Sequence, residues 1–151
     1  MNVMENGVYE TTKLVSESKE GQAVMNINHI SELDQYQEAA LRTWNTNNDF
    51  GGRVLNAALS LTGEAGEVAD VVKKAIFYGH GFDPAHGPGE EEGNTHKIAL
   101  ELGDILYYIS IMSHEMGYTL EDIAQKNISK LATRYPDGFS REASQNRVDM
   151  K

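Results

Sequence analysis

Glu64-Ala65-Gly66-Glu67 and Glu101-Leu102-Gly103-Asp104 repeat one pattern, Glu-x-Gly-acid, inside two long helix-like stretches. Residues three apart on a helix share a face, with Cβ atoms roughly 5–6 Å apart, so each segment presents two carboxylates side by side. Acids this close repel one another, and in a partly buried site they stay protonated unless a cation neutralises them. Four such oxygen donors on two facing helices predict a cage for a hard divalent ion, Mg²⁺ first and Mn²⁺ second. Glycine is the second clue. In a helix interior it costs about 1 kcal/mol relative to alanine, yet one precedes the second acid of each pair. Something is expected to pack or bind close to the backbone there.

Other polar residues extend this chemistry. Asp70 continues the first acid stripe by another three residues and is either a further ligand or a surface acid. Lys74 lies seven residues after Glu67, on nearly the same helical bearing, where it would meet a phosphate held by the metal; Lys73 points elsewhere. Asn127, Lys130 and Arg134 form one polar stripe with the spacing of a triphosphate clamp. The bland alternative is a basic face near a helix C-terminus, which the helix dipole favours anyway. His80 and His86 sit with Asp83 in a glycine-rich loop and read as ordinary loop histidines, with a second metal site as the alternative. Tyr36 and Trp44 read as core residues, with a nucleobase border as the alternative for Trp44. Asn127-Ile128-Ser129 matches a glycosylation sequon by chance, inside a helix. P-loop, dinucleotide-fold and His-Glu-x-x-His signatures are absent. No Glu has a His three residues later, which argues against a ferritin-like di-iron bundle.

The elements that must position these groups are helical. Ser31 with Asp34 looks like a helix start, and Leu33, Tyr36, Ala40, Leu41 and Trp44 share one face of a first helix that the Asn45–Asp49 run breaks. A second helix runs from Gly51 to about Tyr78, with Val54, Ala58, Leu61, Ala65, Val68, Val72 and Ile76 as its apolar seam. Residues 79–94 hold five glycines and two prolines, a long loop of the kind that often serves function. Thr95 is the expected cap of a third helix with the seam Ile98, Leu102, Ile105, Ile109, Met112 and Met116, ended by Gly117. Thr119 caps a fourth, carrying Leu120, Ile123, Ala124, Ile128 and Leu131, and Pro136-Asp137-Gly138 stops it. Without a credible strand, the pattern predicts an all-α, antiparallel four-helix bundle. Residues 1–28 read as an N-terminal extension, 29–139 as the helical domain and 140–151 as a polar tail.

Composition narrows the partners. The 151 residues suffice for one sizeable core, and 40% hydrophobic with 24% charged content is ordinary for a globular protein. A formal charge of −10 argues against a nucleic-acid polymer, whose binding runs on phosphate neutralisation by Lys and Arg. A small phosphorylated ligand arriving with its own cations remains compatible. No apolar run reaches the roughly 18 residues of a membrane span, and the N-terminus lacks a signal-peptide layout. The chain has no cysteine, which with these features suits a cytoplasmic protein.

These residues resemble the MazG-like, all-α nucleoside triphosphate pyrophosphohydrolases over about residues 33–139. The resemblance lies in Tyr36-Gln37 with Arg42-Thr43, then Leu61 to Glu67 leading to Lys73-Lys74. It continues in Glu101-Leu102-Gly103-Asp104-Ile105-Leu106-Tyr107-Tyr108 and ends in Asn127-Ile128-Ser129-Lys130-Leu131 before Arg134-Tyr135. It implies that Glu64, Glu67, Glu101 and Asp104 hold Mg²⁺, and that the chain forms a homodimer or homotetramer with pockets near subunit contacts. The implied reaction converts a nucleoside triphosphate and water to the monophosphate and pyrophosphate. All-α dUTP hydrolases and phosphoribosyl-ATP pyrophosphatases share the acid pattern. One departure stands out: 33 residues separate Glu67 from Glu101, more than is usual in the family, and the excess falls in the 79–94 loop.

The expected function is therefore α–β bond hydrolysis of a nucleoside or deoxynucleoside triphosphate. The four acids would bind the metal and activate water, while Lys74, Asn127, Lys130 and Arg134 would bind the phosphates. The alternative is a helical module that binds nucleotide or metal without turnover.

Overall fold

A computed structural model of the protein describes residues 32–82, 93–147 and 149. All of them fall within one unit, Ser31–Lys151. The N-terminal extension, the Ser31 cap, and Asp83 and His86 of the long loop lie outside the described residues.

The described residues form five helices and no strand: α1 (Leu33–Leu41), α2 (Phe50–Phe77), α3 (Asn94–Glu115), α4 (Leu120–Arg134) and α5 (Arg141–Asn146). Local chemistry explains most boundaries. Asp49 caps α2 by accepting from the Gly52 N–H at 2.8 Å. Thr119 caps α4, and Asp122 returns the bond to the Thr119 N–H, a reciprocal capping box. Gly117 ends α3 at φ +78°, a left-handed position that a side chain would strain. The expected Thr95 cap is displaced by two residues: Gly93 is the N-cap of α3, and Thr95 lies inside the helix. Asn94 instead donates to the Gly81 carbonyl at 2.7 Å, joining the end of α2 to the start of α3. Asp34 does not serve its own helix start either. Its carboxylate accepts from the Glu121 N–H at 3.0 Å, at the positive end of α4. The polar tail contains α5, capped by Ser140.

The α2–α3 pair is the principal packing unit, with α1 against α3 and α4 against both α1 and α3. The polar latch of Trp44 and Arg53 on Glu115 fixes the pair at one end. Arg53 Nε and Trp44 Nε1 donate to the same Glu115 oxygen, at 2.8 and 2.9 Å. The Arg53 guanidinium holds the Glu115 carboxyl below its ordinary range, and the Trp44 bond adds to this.

The inward face of α2 is rotated from the expected seam. Ala57 and Ala75 are buried and Val54, Leu61, Val68 and Val72 are half-buried, while Ala58, Ala65 and Ile76 are exposed. On α3, Leu102 and Met116 are exposed and Ile111, Ser110 and Ser113 are buried instead. Ile128 of α4 also faces outward.

Gln37 holds α1 in place. Its amide donates to the Ser110 carbonyl at 3.0 Å and the Tyr118 carbonyl at 3.3 Å, and its oxygen accepts from the Leu120 N–H at 3.1 Å. A buried polar group left without its partner costs about 1–3 kcal/mol. Gln37→Ala is therefore expected to destabilise the fold by about 1–3 kcal/mol, chiefly because the buried Leu120 N–H loses its partner. Urea unfolding should show a lower midpoint at an unchanged slope.

Candidate active site

The Arg53–Glu115 pair sets the register of α2 against α3. Eleven residues on from Arg53 and eleven back from Glu115 lie Glu64 and Asp104. Glu64 is on the inward face of α2, in step with Ala57, Leu61 and Val68, which is why a glutamate stands half-buried in an otherwise apolar row. Glu101 and Asp104 meet it from α3. The carboxylate oxygens of Glu64, Glu101 and Asp104 lie within 4.8 Å of one another.

Glu67 is not in this group of three. It is exposed one turn further along α2, yet its charge reaches Glu64. The Glu64 carboxyl is pushed above its ordinary range, first by burial and then by the negative charges of Glu67, Asp104 and Glu101. All the charged neighbours acting on it are acids. Such a cluster suits a hard divalent cation: the donors are carboxylate oxygens, and they carry more negative charge than they can share unaided.

Tyr36, read from sequence as core, stands half-buried at the edge of this field. Burial, then Asp104, then Tyr107, raise its phenol and keep it a neutral O–H donor. Tyr107 also accepts a hydrogen bond from Thr43 Oγ1 at 3.1 Å. The sequence signal that could have placed Tyr36 here is its step within the α1 stripe, but periodicity does not say which acids that stripe meets.

The other expected site residues are distributed differently. Asp70 is engaged by Lys73 at 2.5 Å and by Lys74, and these two bonds, Lys73 first, draw its carboxyl down to about 2. It therefore stands outside the acid cluster. Lys74 is committed to Asp70 as well. Asn127 and Lys130 are exposed on α4, and Lys130 meets no carboxylate among the described residues. Arg134 is held by Asp149, a pairing with no signal in the spacing of the two residues: Nε donates to Oδ1 at 2.7 Å and Nη2 to Oδ2 at 2.5 Å. His80 is exposed. No neighbouring atom among the described residues crowds the glycines of the acid motifs: a Cβ built on Gly66 or Gly103 would meet nothing within 4 Å. The close approach expected there does not come from the described residues.

Residues 54–139, more than half of the chain, match the MazG nucleotide pyrophosphohydrolase domain. A curated relative is the "Gene 37 protein" of Mycobacterium phage L5, 29% identical over 89 residues, which cover 59% of this chain and 72% of the phage protein. No solved structure matches significantly. The matched span runs from α2 through α4 and contains all four acids and the Asn127–Arg134 stripe, so the chain belongs to the MazG nucleotide pyrophosphohydrolase family.

Proposed function

We propose that the protein is a cytoplasmic, Mg²⁺-dependent enzyme that hydrolyses a nucleoside or deoxynucleoside triphosphate between the α and β phosphates. The observation that carries this reading is the convergence of Glu64, Glu101 and Asp104 inside the family match. These three would hold Mg²⁺ or Mn²⁺, with Glu67 beside them as the fourth ligand. When bound, the ion supplies positive charge and Lewis acidity opposite the phosphates. Water oxygen bonds to the α-phosphorus as the bond to the α–β bridging oxygen breaks, and pyrophosphate leaves. A carboxylate oxygen of the cluster takes the water's proton. Lys130 and Asn127, with Arg134 and Lys74 once their carboxylate partners let go, bind the phosphate oxygens. Asp104 lies 11 residues before the end of α3 and Lys130 10 residues after the start of α4, about 16 and 15 Å along their helices from the turn.

Turnover of a panel of NTPs and dNTPs in ¹⁸O-water tests the reading. Label in the monophosphate is expected. Release of inorganic phosphate, or nucleotide binding without turnover, would replace it with another hydrolysis or with a non-catalytic binding module.

We also propose that α1–α4 form an antiparallel four-helix arrangement completed by a second copy, as a homodimer or homotetramer. The back of α2 supports this. Leu55, Leu59 and Phe77 are 59%, 65% and 76% exposed on one stripe that includes Gly66. A helix apolar on both sides needs cover on both. Light scattering at micromolar concentration should give at least twice the chain mass, and Leu59→Glu should shift it toward monomer. An active wild-type monomer would overturn the assembly.

A further inference from the structure

We propose that Asp149 is a built-in competitor for the Arg134 guanidinium, an autoinhibitory contact that the polyphosphate of a ligand must displace. The proposal rests on the reading of Arg134 as a phosphate-binding residue. The geometry is that of substrate mimicry. The planar edge Nε/Nη2 grips two oxygens of one carboxylate, at 2.7 and 2.5 Å, and the same fork grips two oxygens of a phosphate. One edge cannot serve both at once. The pair is withdrawn from water, with side-chain exposure of 16% for Arg134 and 2% for Asp149, so Asp149 occupies the guanidinium rather than brushing past it. The Tyr135 ring lies 5.8 Å from the guanidinium carbon and narrows the approach further.

The chain is shaped to deliver this carboxylate. Ser140 caps α5, and Arg147 ends it in the left-handed region, at φ +43°. That left-handed conformation disfavours a side-chain-bearing residue. In the resting protein, apparent phosphate affinity falls by the fraction of molecules whose Arg134 is open.

The test uses the full chain. Asp149→Asn and Asp149→Ala are expected to lower KM for nucleoside triphosphate by on the order of 3- to 10-fold and to tighten binding of inorganic tripolyphosphate similarly. Neither change should appear in an Arg134→Ala background. In the wild type, tripolyphosphate should speed hydrogen–deuterium exchange in the peptide bearing Asp149, a readout independent of whether the variants fold. Unchanged or weaker tripolyphosphate binding in folded Asp149 variants, or unchanged wild-type exchange, would reduce the pair to a structural strut. If Arg134→Ala alone leaves KM and tripolyphosphate binding untouched, the phosphate role of Arg134 is what fails, and the competitor falls with it.

Discussion

Glu64→Gln is expected to cut turnover by about 10²–10³-fold or more, the range that follows removal of one charge-stabilising group from an active site. The same change should leave the fold intact and raise its melting temperature in EDTA. Glu64 is the acid whose carboxyl is raised by burial and by Glu67, Asp104 and Glu101, so its ionised form is disfavoured in the metal-free fold. The sign follows from linkage: the stability associated with this group is fully present below the ordinary glutamate value of 4.5 and is lost as pH rises through the raised folded value. Metal-free wild type should therefore lose melting temperature between that range and neutrality, and Glu64→Gln should lose less. Mg²⁺ should restore the wild type at neutral pH and do little for the variant. Glu67→Gln and Asp104→Asn should also abolish activity while folding normally. Wild-type rates in Glu64→Gln would remove the cluster from the mechanism.

This site was legible in the sequence because its signal is local. A three-residue step places two acids on adjacent turns whatever surrounds them, and Glu64, Glu101 and Asp104 do converge, while Glu67 stays exposed outside that group. The orientation of α2 was not legible. Ala57, Ala58, Ala65, Gly66, Ala69 and Ala75 make several of its bearings nearly equal in hydropathy, and Leu55 and Leu59 add a second apolar stripe. Periodicity cannot separate a face packed on α3 from one left open, so it admits Ala58 and Ala65 to the seam in place of Ala57. Gln37 was legible in principle, as a polar residue inside the Leu33–Ala40–Leu41 stripe, but its three backbone partners lie on α3, the turn and α4. The Asp34 bond to α4 and the Asp149 bond to Arg134 are long-range in the same way. A short acidic side chain looks identical whether it caps its own helix, caps another or meets water.

The structure also separates the cations that sequence spacing had grouped together. Lys74 shares Asp70 with Lys73, an exposed arrangement whose net strength is small and which a phosphate can exchange. Arg134 is held bidentately by a nearly buried carboxylate. Lys130 alone of the three meets no carboxylate among the described residues.

Their alanine variants should therefore differ. A charge-assisted hydrogen bond to phosphate is worth roughly 1.5–3 kcal/mol, so Lys130→Ala should lower kcat/KM by on the order of 10- to 100-fold. Arg134→Ala gives up a bond of the same kind but also removes the need to displace Asp149, so its net loss should lie nearer the lower end. Arg134→Lys should recover only part, because an ammonium cannot reproduce the two-oxygen fork. Lys74→Ala should cost least, since Asp70 retains Lys73. Apo-enzyme affinity for Mg²⁺ should change little in Lys130→Ala if, as proposed, that side chain binds phosphate and not the metal. A loss confined to KM would mean that Lys130 binds ground and transition states alike, and a loss in kcat that the contact tightens as the α–β bond breaks. Unchanged kinetics in both Lys130→Ala and Arg134→Ala would leave the α4 stripe a solvated helix end. The phosphate contacts would then have to come from Lys74 or from another subunit.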